Sequence, residues 1–142
     1  MLLGELLVFR FVLPGSDIPA NIFDSNVVKY EPNQTGIYRI RNEIAAPFRI
    51  NSNGWNSHHD RYPLQRTDGK MRIAIIGDSY VEALQVPYDQ SLSEVMERNL
   101  GDGVEVFRFG ISGAPLSQYW HMLREEVVQF RPGLVVLVLT HN

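Results

Sequence analysis

The 142-residue chain contains no cysteine. That absence excludes a disulfide scaffold, a thiol nucleophile and any zinc site built on thiolates. Cationic excess is also lacking: 13 Lys and Arg stand against 16 Asp and Glu, a net charge of −3. A nucleic-acid surface would show clustered basic residues, so that partner class is set aside. Neither an internal repeat nor a low-complexity tract is visible, and no apolar run reaches the roughly 20 residues that a membrane-spanning helix needs. The N-terminal stretch Met1 to Leu13 (MLLGELLVFRFVL) is broken by Glu5 and Arg10 and closed by Pro14-Gly15. It has no basic leader region or small-residue cleavage site. It reads as an amphipathic helix laid on the body or on a partner, with the tail of a membrane anchor as the sharper alternative. What is present is a hydrophobic share of 44%, enough for a packed core and too much for a disordered chain.

Texture divides the remainder in two. Residues 15–69 are rich in Asn, Pro, Ser and Asp and hold no sustained helical period. Ile37–Arg41 and Phe48–Asn51 alternate as short strands, and Asn53-Gly54 is a turn signal. This part is expected to be an irregular or β accessory arm. Residues 70–142 are regular. Arg72–Ile76 is a buried-strand signal ending in Gly77. A helix follows, with Ser91 and Glu94 at capping-box spacing, an apolar face of Leu92, Val95, Met96 and Leu100, and Gly101 at its end. Val104–Phe109 is a second strand. Pro115 can open a second helix with the face Leu116, Tyr119, Trp120, Leu123, Val127 and Phe130, stopped by Pro132-Gly133. Leu134–Leu139 is a continuous apolar strand, expected to be buried on both faces. Strand, helix, strand, helix, strand predicts an α/β fold with a parallel sheet.

Ligands of such sheets gather beyond the carboxyl ends of the strands. Those ends carry Gly77-Asp78-Ser79-Tyr80, Gly110-Ile111-Ser112-Gly113 and Thr140-His141-Asn142. A hydroxyl, a glycine-flexed turn and an amide side chain are the parts of an acyl-transfer site: a nucleophile, and donors for the oxyanion formed when it attacks a carbonyl.

The stretch RIAIIGDSYVEALQVP resembles the first block of the SGNH, or GDSL, hydrolases, and the next two blocks follow in order at the next two strand ends. The resemblance covers roughly residues 70–142. The Asn-Ser-x-Gly stretch around Ser52 to Trp55 is similar to a lead-in of membrane-anchored bacterial members. It implies a three-layer, doubly wound, flavodoxin-like sheet, here the first three strands of five and so an incomplete domain. It implies a serine ester hydrolase with Ser79 as nucleophile, and an oxyanion hole of the Ser79 N–H, the Gly113 N–H and the Asn142 side chain. Thr140 departs from the pattern, standing where the family has Gly. No metal or organic cofactor is implied, and the substrate would be a small-molecule, carbohydrate or lipid ester.

The family's fourth block, Asp-x-x-His, is absent: none of His58, His59, His121 and His141 has an acidic residue three positions before it. Without a base a serine hydroxyl is a poor nucleophile, so this chain alone is expected to turn over little or nothing. His141 sits beside the oxyanion Asn, on the other face of its strand. His58-His59-Asp60 has the composition of a metal or acid–base cluster but reads as a solvated loop. His121 is assigned to packing or capping, and Asp78 to ordering its turn. The alternative function is a non-catalytic binding or scaffold domain of the cell envelope, in contact with the membrane through residues 1–13. Oligomeric state is not legible.

Overall fold

Seven residues, Met71–Gly77, form the strand around which the rest is arranged; we label it β5 because two hairpins precede it. The computed structural model describes Gly4 and residues 15–140. The expectations for residues 1–13, for His141 and for Asn142 therefore lie outside the described residues.

β5 is central in a three-stranded parallel sheet of order β6-β5-β7, with β6 spanning Val104–Gly110 and β7 Leu134–Leu137. Its side chains alternate between two buried clusters. Ala74 and Ile76 join Phe107, Phe109, Tyr119, Met122 and Phe130 on one face, while Ile73 and Ile75 join Val81 and Val106 on the other. Burial on both faces is why β5 reads as an unbroken apolar run. Three helices accompany the sheet: a single turn α1 (Ser79–Glu82), α2 (Leu92–Leu100) and α3 (Leu116–His121). Met96 of α2 packs on the second cluster and α3 on the first, so helices cover both faces.

Four details of the sheet and its helices depart from the sequence expectations. The Leu134–Leu139 run is not buried on both faces: only Leu134–Leu137 is strand, at an edge of the sheet among the described residues, and Leu134, Leu137 and Leu139 are exposed while Val135 and Val136 are half-buried. In α2, Leu92 and Leu100 are exposed and the buried positions are Ser93 and Glu94. The Ser91–Glu94 capping box does not form; the Ser91 hydroxyl donates instead to Tyr88 C=O at 2.8 Å, and Glu94 turns to His58. After His121, α3 widens into a π-helical stretch, Met122–Val127, then a 3₁₀ turn, Val128–Phe130. An i→i+5 bonding pattern turns residues five apart inward together. Met122 and Val127 are thus fully buried, while Leu116 and Trp120 lie exposed.

The arm contributes to the same core. β1 (Asn21–Asp24) and β2 (Val27–Tyr30) form a hairpin closed by Ser25 and Asn26, both at positive φ, as a two-residue turn of primed type requires. β3 (Thr35–Ile40) and β4 (Ile44–Arg49) form a second; β3 falls where alternation predicts a strand, whereas β4 begins four residues before the expected Phe48–Asn51 and ends at Arg49. Gly54 supplies the predicted turn at φ +87°, where a Cβ would stand 2.5 Å from Tyr30 C=O. Val27, Tyr30, Phe48, Trp55 and Tyr62 are buried in one cluster with Phe107 and Phe109. Trp55 meets Phe109 edge-on at 5.3 Å, and Tyr62 stacks on Phe107 at 4.2 Å.

Ion pairing fixes the first hairpin to α3. Lys29 Nζ donates to Glu126 Oε1 at 2.6 Å and to Asp24 Oδ2 at 2.9 Å. Burial works against the charge on Lys29, but the two carboxylates outweigh it and raise its pKa. Lys29→Ala leaves the Glu126 carboxylate buried without its cation, which costs about 1–3 kcal/mol. The drop is expected in a urea midpoint; an unchanged midpoint would mean that the pair contributes nothing.

Candidate active site

The turn after β5 is built for close approach. A Cβ on Gly77 would stand 2.3 Å from Val81 Cγ2, so α1 folds directly back over the strand end. Asp78 caps that helix, its Oδ1 accepting the Tyr80 N–H at 3.1 Å. The turn-ordering role expected of Asp78 is thus what its side chain performs. Ser79 is the first residue of α1 and is half-buried. Its N–H belongs to the first helical turn, where no intrahelical acceptor is available. The helix ends after one turn because Ala83 adopts a left-handed conformation, φ 55°, its N–H closing on Ser79 C=O at 2.9 Å.

Beyond β6, Ile111 to Ala114 form a β-turn closed by the Ala114 N–H on Ile111 C=O at 3.2 Å. Gly113 lies exposed at the third position with φ +74°, the conformation that favours glycine there.

The first strand-end segment holds the other two by side chains. Asp78 Oδ2 accepts the Thr140 hydroxyl, so the residue that departs from the family pattern bonds back to the Gly-Asp-Ser turn. Glu82, at the end of α1, accepts the Ser112 N–H at 2.8 Å and the Ser112 hydroxyl. Asn56 Nδ2 donates to the Glu82 carbonyl at 2.8 Å, and the Tyr30 hydroxyl to its carboxylate. Burial first, and the Glu82 charge next, push the Tyr30 phenol far above its ordinary pKa, so it remains a donor.

Two cavities open on this rim. One, of about 410 Å³, is lined by Ser79, Tyr80, Ala83, Gln85 and Val86. The other, about 250 Å³, lies between Asp78, Ala114, Tyr119 and Thr140. Burial and the nearby Asp78 carboxylate raise the Tyr119 phenol. Among the described residues no histidine lines either cavity.

Glu82 is the functional residue that sequence reasoning missed. A glutamate in a four-residue helix reads as solvated, yet this one is 1% exposed. The only available signal was its place between Val81 and Ala83-Leu84, three residues that are buried.

His58, His59 and Asp60 lie in a loop, as expected, with His58 and Asp60 exposed and His59 half-buried, but the two histidines are not free. Both turn onto α2: His58 Nδ1 bonds Glu94, and His59 Nε2 lies 2.9 Å from Glu97 Oε2. Hydrogen bonds to Glu94 and Glu97 raise His58 to about 9. Burial raises the Glu97 carboxyl, but the two histidines and the Val106 N–H outweigh it and hold it well below the carboxylate range. Asp60 is not part of this group; it pairs with Arg49 at 2.7 Å. His121 is half-buried on α3.

No protein-family model matches this chain, and no curated protein matches it.

Proposed function

We propose that the rim around Ser79 is an acyl-transfer site of SGNH type, on the flavodoxin-like sheet that the family uses, and that it acts on esters. The observation that carries this reading is the pair of ties just described. Asp78 reaches the third strand-end segment and Glu82 the second, so the residues around the hydroxyl, the glycine turn and Thr140 form one bonded unit.

In this reading Ser79 Oγ attacks the ester carbonyl while its proton passes to a base. The Ser79 and Gly113 N–H groups, with the Asn142 amide, stabilise the tetrahedral oxyanion. Collapse breaks the ester C–O bond, the alcohol leaves with a proton, and water then releases the acid from the acyl-serine. The cavity lined by Tyr80, Ala83 and Val86 offers an apolar wall to the acyl or alcohol part. A positioned base supplies about 10²–10⁴-fold, and no histidine of the described residues is placed to act as one. The chain alone is therefore expected to hydrolyse p-nitrophenyl acetate slowly.

Added imidazole can take the place of that base. With imidazole, the wild-type chain is expected to release p-nitrophenol faster than Ser79→Ala under the same conditions. An acetyl adduct should appear by mass spectrometry on the peptide that carries Ser79. Equal rates in the two proteins, with no adduct at Ser79, would favour the non-catalytic binding domain instead.

A further inference from the structure

At the amino ends of the same strands, away from Ser79, lies a second cleft of about 460 Å³, bordered by Lys70, Gly101 and Val104 and by His58, Glu94 and Glu97. β6 is an edge strand, so its Val106 N–H has no strand partner on that side and donates to Glu97 Oε2 at 2.6 Å. That bond fixes the Glu97 carboxylate. The two histidine rings stand 3.9 Å apart by centroid, and His59 is held edge-on by Phe107 at 5.4 Å.

We infer that His58, His59 and Glu97 form a binding site for a single divalent transition ion of the zinc class. One ligand atom from each of the three lies within 4.8 Å of the others. A tetrahedral ion with bonds of about 2.0–2.1 Å sets its donors roughly 3.3–3.4 Å apart. His58 Nε2 is 3.6 Å from Glu97 Oε1 and His59 Nε2 is 2.9 Å from Glu97 Oε2, so each imidazole lies close to one oxygen of the carboxylate and small side-chain shifts would bring all three donors to that spacing. Two imidazoles and one carboxylate are the donor set of an open zinc site, in which the fourth position is left for water or a ligand. Here two of the three proposed ligands, His58 and Glu97, line the cleft.

The surrounding groups add two independent arguments. His58 Nδ1 bonds Glu94, so an ion would be taken by Nε2 once it has released its proton, with Nδ1–H still donating to Glu94, the arrangement by which carboxylates orient metal-binding histidines. The Glu94 side chain is only 9% exposed, and its Oε1 is buried with no hydrogen-bond partner. A buried carboxylate oxygen left unpaired is costly, and a cation held one imidazole away offsets that cost. Glu94 is thus a positioning residue and not a ligand. The site shares no residue with the Ser79 rim, and its failure would leave the esterase reading untouched.

Titration of the full chain with Zn²⁺ after EDTA dialysis, by calorimetry and by competition with a chromogenic chelator, tests the inference. One ion per chain at micromolar or tighter affinity is expected. Glu94→Gln should weaken binding about 10–100-fold at unchanged stoichiometry, and His59→Ala or Glu97→Gln should weaken it further. His121→Ala should leave it unchanged. Co²⁺ bound to the wild-type chain should give the intense visible bands of a four-coordinate ion, a readout that needs no variant to fold. Absence of those bands, or Zn²⁺ binding as tight in His59→Ala as in wild type, would overturn the site and leave an ion-pair cluster in its place.

Discussion

Arg72→Met is expected to destabilise the protein by about 3–5 kcal/mol, a large share of the roughly 5–15 kcal/mol that holds an ordinary domain folded. Arg72 lies on the central strand, fully buried, where a chain of apolar neighbours would suggest another hydrophobe. Its guanidinium instead makes four hydrogen bonds. Nε donates to Glu105 Oε1 at 2.7 Å, one terminal nitrogen to the carbonyls of Pro63 and Phe130 at 2.8 and 2.6 Å, and the other to Gln65 C=O at 3.0 Å. The Phe107 ring lies beneath it at 4.5 Å. One side chain thus joins the arm, β5, β6 and the end of the helical segment after α3. Methionine fills much of the volume but strands the Glu105 carboxylate, which is 7% exposed and otherwise bonded to Thr67 at 3.0 Å. The double change Arg72→Met with Glu105→Leu removes both charges and should recover part of the loss, because the uncompensated ion is the larger part of the penalty. Urea midpoints of the wild type, the single and the double variant check this. A single variant within about 1 kcal/mol of wild type would show that the network contributes little.

Gly110→Ala is expected to cost about 1–3 kcal/mol and to displace α1. The added Cβ would stand 2.3 Å from Glu82 N, 2.7 Å from Val81 C and 2.9 Å from Glu82 Cα. All three are backbone atoms, so no rotamer change relieves the contact. What moves is the one-turn helix that carries Ser79 at one end and Glu82 at the other. The imidazole-supported acylation of Ser79 should therefore fall together with the thermal midpoint. Gly113→Ala is the contrasting case: its Cβ would meet nothing within 4 Å, and only the left-handed φ of +74° opposes it. It is expected to cost about 1 kcal/mol, in line with the left-handed penalty of a side chain. Equal effects of the two substitutions on stability would show that close packing at Gly110 is relieved elsewhere.

Legibility followed how local each signal was. The apolar run ending in Gly77 and the alternation around Ile37–Arg41 are nearest-neighbour patterns, and strands form there; the second arm strand forms at Ile44–Arg49, upstream of the expected Phe48–Asn51 and sharing only Phe48 and Arg49 with it. The first hairpin was missed because its turn, Ser25-Asn26, lacks the glycine that usually marks a primed turn, although both residues adopt its positive φ. The face expected from Leu116 to Phe130 holds at Tyr119, Val127 and Phe130, which are buried, and fails at Leu116 and Trp120, which are exposed; Met122, which a 3.6-residue period leaves off that face, is buried at the start of the π-helical stretch. Three buried ionic groups, Arg72, Glu82 and Glu94, were invisible for a different reason. Each is tolerated only because its partners arrive from remote segments, Glu105 and Phe130 for the first, Tyr30 and Ser112 for the second, His58 for the third.

The sequence by itself determined the alternation of strands and helices, the parallel sheet that follows from it, and the motifs at the strand ends, since all of these rest on short-range periodicity and turn chemistry. Only the tertiary structure decided which polar side chains are buried, and with whom. It paired the loop residues His58 and His59 with Glu94 and Glu97, and made Glu82 the link between two strand-end loops. The physical reason is that a buried charge is set by its partners in space. Those partners lie 30 to 52 residues away in the case of Glu82, beyond the reach of any local pattern.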